Sequence, residues 1–96
     1  MLSLSKLQRM RTDILRLADS HGAKAVRVFG SLARGEEQQT SDVDFLVRMD
    51  AERSLLDRIA LIHDLEDLLH CKVDVVNERA LHYLLRDQIL AEGVPL

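Results

Sequence analysis

The stretch Val28-Phe29-Gly30-Ser31-Leu32-Ala33-Arg34-Gly35, with its continuation Thr40-Ser41-Asp42-Val43-Asp44-Phe45-Leu46-Val47, decides how the rest of the chain reads. It consists of an apolar strand, a Gly-Ser pair, ten intervening residues, and two aspartates one residue apart that open a second apolar strand. A strand running into a Gly-Ser turn that starts a helix leaves backbone N–H groups free and presents the positive end of a helix dipole, which suits a phosphate. Asp42 and Asp44 stand at i and i+2 of an extended segment, so both carboxylates project from one face while Val43 points to the core. Aspartate is depleted in strands, so two of them around a buried valine need a reason. Two oxygens aimed at one place beside a phosphate cradle meet the needs of a Mg²⁺ ion carrying a nucleoside triphosphate.

Around this stretch the apolar periodicity lays out the remaining elements. From Ser5 to His21, Leu7, Met10, Ile14, Leu17 and Ala18 recur at steps of three and four and predict one amphipathic helix, started by Ser3 or Ser5 and ended by Gly22. Residues 25–29 read as a strand with Val26 and Val28 on one face. One or two helical turns are expected from Ser31 to Gly35, then a polar, mobile loop over 36–41 that lies across the site. The second strand runs from Asp42 to Met49, with Val43, Phe45 and Val47 on one side and Asp42, Asp44 and Leu46 on the other. Ser54 to His70 predicts a helix whose stripe is Leu55, Ile59, Ile62, Leu65 or Glu66, and Leu69, with Asp57, Arg58, Asp64 and Asp67 on its wet side. Cys71 to Val76 predicts a third strand in which Asp74 alternates with Val73 and Val75, as Asp44 does with its neighbours. A last helix over 79–91 carries Leu81, Leu84, Leu85, Ile89 and Leu90, and Gly93 and Pro95 end it. The fold class is therefore α/β (α+β), a small mixed sheet of three or more strands packed with about four helices.

Ninety-six residues with 47% apolar content supply one core, so a single domain over 1–96 is expected, without a separate acceptor-binding domain. A net charge of -3 and 3% aromatic content argue against a nucleic-acid binder, which needs a basic face or a stacking platform. One cysteine, Cys71, excludes an internal disulfide and fits a reducing cytoplasm, and no apolar run is long enough to cross a membrane. His63 and His70 stand seven apart on one helix and read as exposed or core residues, not ligands. The absence of a Cys/His ligand set argues against zinc.

Gly30-Ser31, ten residues, then Asp42-x-Asp44 resembles the signature of the nucleotidyltransferase superfamily related to DNA polymerase beta. The Gly-Ser-x-Ala-Arg-Gly form of residues 30–35 resembles its minimal branch, the MNT domains. The resemblance implies the polymerase beta-like fold and transfer of AMP from ATP to a hydroxyl with two Mg²⁺ ions. By the same resemblance, Asp42, Asp44 and Asp74 are the catalytic and metal-binding carboxylates, and Gly30, Ser31 and Arg34 hold the nucleotide. Asp74 would help hold the second ion and take the acceptor proton or lower its pKa. Many MNT proteins are antitoxins that modify a tyrosine of a HEPN ribonuclease toxin, which makes a HEPN-type toxin the implied partner. The alternatives are an antitoxin that acts by binding alone and a small-molecule nucleotidyltransferase. Arg16 to His21 and Arg58 to His63 also match the loose Arg, four residues, His pattern of HEPN ribonucleases, but those are all-helical and three strands do not fit them.

Overall fold

The computed structural model describes residues 2–35 and 42–96. The helical segment predicted as one unit is two: α1 (Leu4–Arg9) and α2 (Arg11–Ser20). The break falls at Met10, whose N–H reaches back to Lys6 O and Leu7 O at 3.1 Å each. Leu7 of α1 and Ile14 of α2 are both fully buried and enter the same core from either side of the break. Ser3 is the N-cap of α1, its side chain accepting from Lys6 N–H.

β1 (Ala23–Phe29) follows, two residues longer at its start than the periodicity predicts. Ala25 has φ 51° and the register shifts between Lys24 and Arg27, a bulge that restores Val26 and Val28 to the buried face. β2 (Val43–Met49) pairs antiparallel with β1, and β3 (Val73–Asn77) pairs parallel with β2. Val43, Phe45 and Val47 are buried on one face of β2, as the alternation requires, but Leu46 on the other face is buried as well.

Between β2 and β3 lies α3 (Leu55–Leu69), opened by a capping box in which Ser54 and Asp57 satisfy each other's backbone, and closed by His70 in the left-handed region. Its expected apolar stripe is corrected by the structure. Leu65 and Leu69 are buried and Ile62 packs against the core, as expected, but Leu61 joins them, whereas Leu55 and Ile59 face solvent. The inward line runs 58, 61, 65, 69, and its first position is Arg58, placed on the wet side by the sequence pattern. Arg58 is half-buried because its guanidinium donates to Val75 O at 2.7 Å, on the outer edge of β3.

The last predicted helix is also divided. A 3₁₀ turn (Glu78–Ala80) precedes α4 (Tyr83–Glu92), and no residue of α4 is buried; Leu84 and Leu85 are exposed. Gly93 caps α4, but the chain does not stop there. Val94–Pro95 form β4, which pairs antiparallel with β1, and Leu96 N–H donates to Val26 O at 3.0 Å. Proline is tolerated on such an edge because its missing donor can face outward. The described sheet has the order β3-β2-β1-β4. Among the described residues no helix is long and apolar enough to cross a membrane.

Candidate active site

β1 delivers the chain to Gly30 at φ +76°, a left-handed conformation that costs an L-residue with a side chain energy. Sterics make the same demand, because a Cβ on Gly30 would lie 2.6 Å from Asp44 Oδ2. The turn and the carboxylate are therefore in direct contact across the β1–β2 ladder, where Phe29 is the register partner of Asp44. After Gly30, Arg34 N–H reaches Gly30 O at 3.3 Å and Ser31 O at 3.1 Å, and Gly35 N–H reaches Leu32 O at 3.0 Å. Leu32 is buried and anchors the turn, leaving Ser31 and Ala33 half-buried. Within the described residues the turn is tight and does not reach the predicted regular helix, so its local N–H groups are what it offers an anion there. The polar stretch 36–41, expected to lie across the site, is outside the described residues.

Parallel pairing of β2 with β3 sets Asp44 opposite Asp74 in register. Register partners on neighbouring strands point to the same face about 5 Å apart, so the two carboxylates share one side of the sheet. Asp42 stands just before β2, exposed, on the same alternation as Asp44. The electrostatics reflect this arrangement: burial first, then the charges of Asp74 and Asp42, push the Asp44 carboxyl above its ordinary range. Repulsion of that kind is what a bound cation relieves. Among the described residues no three acidic, His or Cys side chains close on one point tightly enough to hold a metal by themselves. Magnesium does not demand that, since it commonly takes one or two carboxylates and completes its shell with water and substrate phosphates. Asp42 and Asp44 beside a phosphate-competent turn fit such an ion.

The sheet gives the site one further feature that the sequence reading missed. On the same face, one rung below Asp44, Arg27 of β1 is register partner to Leu46, and Arg48 of β2 lies beyond it. Both arginines approach the Glu78 carboxylate, at 3.8 Å and 3.9 Å. Glu78 thus ties the 3₁₀ turn across two strands, at the rung where Leu46 is buried. Strand alternation in 23–29 and 43–49 puts these arginines on the aspartate face, but only the pairing shows that they meet. The side chain of Arg34 is exposed at the rim of the turn. Cys71 is half-buried, and burial followed by the Glu66 and Asp42 charges pushes its thiol upward.

Comparison with known proteins agrees with this geometry. Residues 12–96 match the family described as polymerase beta, nucleotidyltransferase. A Methanocaldococcus jannaschii protein that carries the provisional name protein adenylyltransferase is 40% identical over 88 residues, covering 92% of this chain and 95% of that one. The protein adenylyltransferase MntA of Thermococcus cleftensis is 37% identical over 95 residues, covering 98% and 96% of the two chains. A solved structure described provisionally as a minimal nucleotidyltransferase superposes with a TM-score of 0.89 at 47% identity, covering 99% of this chain and 97% of that one. The MNT antitoxin solved with a tri-AMPylated HEPN toxin of Shewanella oneidensis shares the fold, with a TM-score of 0.69 at 22% identity over 92% of this chain and 69% of that one. The chain belongs to the polymerase beta nucleotidyltransferase family.

Proposed function

We propose that residues 1–96 act as one Mg²⁺-dependent adenylyltransferase domain that moves AMP from ATP to a hydroxyl, in the first instance a tyrosine of a HEPN ribonuclease toxin, and so serve as its antitoxin. The observation that carries this reading is the register of Asp44 with Asp74 next to a left-handed Gly30 that touches Asp44. The kinship with MntA of Thermococcus cleftensis, over nearly the whole of both chains, supports AMP as the transferred group and a protein as the acceptor.

In this reading the N–H groups and hydroxyl of the Gly30-Ser31 turn bind the outer phosphates, with Arg34 at the rim pairing a phosphate oxygen. Asp42 and Asp44 would hold the ion that carries the triphosphate, and Asp74 would complete a second ion site. Bound there, magnesium supplies charge neutralisation for the phosphates and for the departing pyrophosphate. Asp74 faces the acceptor and receives its proton as the oxygen attacks the α-phosphorus.

The test incubates the protein with Mg²⁺, α-labelled ATP and a HEPN protein. Label is expected on the toxin, and Asp42→Asn together with Asp44→Asn should abolish it. A double variant that still labels the toxin would remove the carboxylates from the chemistry. One that loses labelling yet neutralises the toxin as well as wild type would favour action by binding alone.

A further inference from the structure

Beside Asp74 a cleft of about 450 Å³ opens along the outer edge of β3, between the start of α3 and the 3₁₀ turn. Asp74, Arg58, Ser54, Leu55, Val76 and Ala80 are among its walls. We propose that this cleft is the acceptor subsite, taking a hydroxyl carried on an apolar ring of a partner polypeptide. The inference rests on the adenylyltransferase reading and specifies where the second substrate enters.

The order of elements across the sheet supports it. The Gly30 turn lies at the β1 side of Asp44 and Asp74 at its β3 side, with β2 between them. In an in-line displacement the nucleophile arrives opposite the leaving group. If the outer phosphates sit on the Gly30 turn, the acceptor oxygen must come from the far side of Asp44, which is the β3 side where the cleft opens. The acceptor O–H loses its proton to Asp74, its oxygen forms the new bond to the α-phosphorus, and the α–β bridging P–O bond breaks with its electron pair leaving on pyrophosphate.

The chemistry of the walls limits what can enter. An exposed strand edge normally invites another strand, but here Glu66 Oε2 accepts from Val73 N–H at 3.1 Å and Arg58 donates to Val75 O at 2.7 Å. Two side chains from α3 therefore occupy backbone groups that an added strand would need. A side chain can still insert. Met49, Leu55, Val76 and Ala80 offer it apolar contact, and Arg53, Ser54, Arg58 and Asn77 line the cleft with Asp74, so an occupant that is part ring and part hydroxyl meets both kinds of wall. Leu55, Leu56 and Ile59 are 60%, 75% and 37% exposed on the first two turns of α3, an apolar rim beside the opening that suits a protein surface better than a small polar acceptor.

Ala80→Trp fills the cleft from an exposed position on the 3₁₀ turn, and Leu55→Lys alters its opposite wall; Leu84→Trp on α4 is the control. Each is assayed for affinity towards a fluorescent Mg²⁺-ATP analogue and for transfer to the HEPN protein. Both cleft variants are expected to keep the nucleotide affinity and to raise the acceptor KM on the order of tenfold, with Leu84→Trp at wild-type values. Wild-type transfer in either cleft variant that retains nucleotide binding overturns the subsite and leaves the adenylyltransferase reading standing. Labelling that survives Asp42→Asn with Asp44→Asn, or its absence in the wild type, removes that reading and the subsite with it. A loss of nucleotide binding in Ala80→Trp alone passes the decision to Leu55→Lys, whose side chain is already largely in solvent.

Discussion

Substituting Gly30 by alanine separates two demands that the structure places on one residue. The backbone demand is φ +76°, and forcing an L-residue with a Cβ into that region costs about 1–2 kcal/mol. For a domain of this size that corresponds to a fall in Tm of roughly 5–15 °C. The second demand is spatial, since the new Cβ would stand 2.6 Å from Asp44 Oδ2, well inside contact distance. A carboxylate end can swing away cheaply, so this contact adds little to the stability loss. On the proposed function it matters for nucleotide binding and transfer, because a displaced carboxylate no longer faces the Gly30 turn, and misplacement of a reacting group by about 1 Å can cost on the order of a hundredfold in rate. Gly35 is an internal control: it has φ +79°, and among the described residues nothing lies within 4 Å of where its Cβ would go. Thermal melts and Mg²⁺-ATP binding should therefore show a similar Tm loss for Gly30→Ala and Gly35→Ala, with nucleotide affinity lost in Gly30→Ala alone. Adding Gly30→Ala to Asp44→Ala, which has no carboxylate to displace, should cost only the backbone part, as a double-mutant cycle would report. Equal nucleotide affinities in the two glycine variants would refute the contact between turn and carboxylate.

The pH dependence of the metal-free protein follows from the raised Asp44 carboxyl. Between its ordinary value of 3.8 and its raised value the folded state holds more proton than the unfolded state, so stability falls as pH rises through that window. Asp44→Asn should flatten this slope; on the proposed function Mg²⁺ is expected to raise the wild-type Tm near neutral pH and to leave that of Asp44→Asn unchanged, and a steeper slope in the variant would contradict the sign. In the core, Leu61→Ala removes a fully buried side chain from the α3–sheet interface and should cost about 2–5 kcal/mol in denaturant melts. A loss below about 1 kcal/mol would mean that α3 does not depend on this contact.

Strand alternation makes the candidate site legible before any tertiary contact is known. Asp42-Val43-Asp44 and Val73-Asp74-Val75 each declare which side is wet, because a two-residue period leaves no other assignment once the valines are buried. Helix faces are less legible. In α3 the pattern over 55–69 accommodates two stripes, and the real one begins with an arginine whose charge is spent on the β3 edge at Val75 O. The break at Met10 is likewise hidden, since Leu7 and Ile14 fit one continuous helix and only the shared core separates the two segments. Val94 and Pro95 are too short a run to signal a strand, and β4 exists because β1 offers an edge for it. Arg27, Arg48 and Glu78 meet through pairing of segments far apart in the chain, which no local window contains.

By itself the sequence determined the local chemistry: a Gly-Ser turn after a strand, carboxylates alternating with buried valines on two strands, and enough apolar residues for one core. Those are properties of short segments, fixed by sterics and by the two-residue period of an extended chain. Only the tertiary structure decided that β3 joins β2 in parallel, with Asp74 beside Asp44, and that the outer edge of β3 is closed to strands yet flanked by a cleft. Register between distant strands arises from the whole packing of helices on the sheet, and no residue carries it alone.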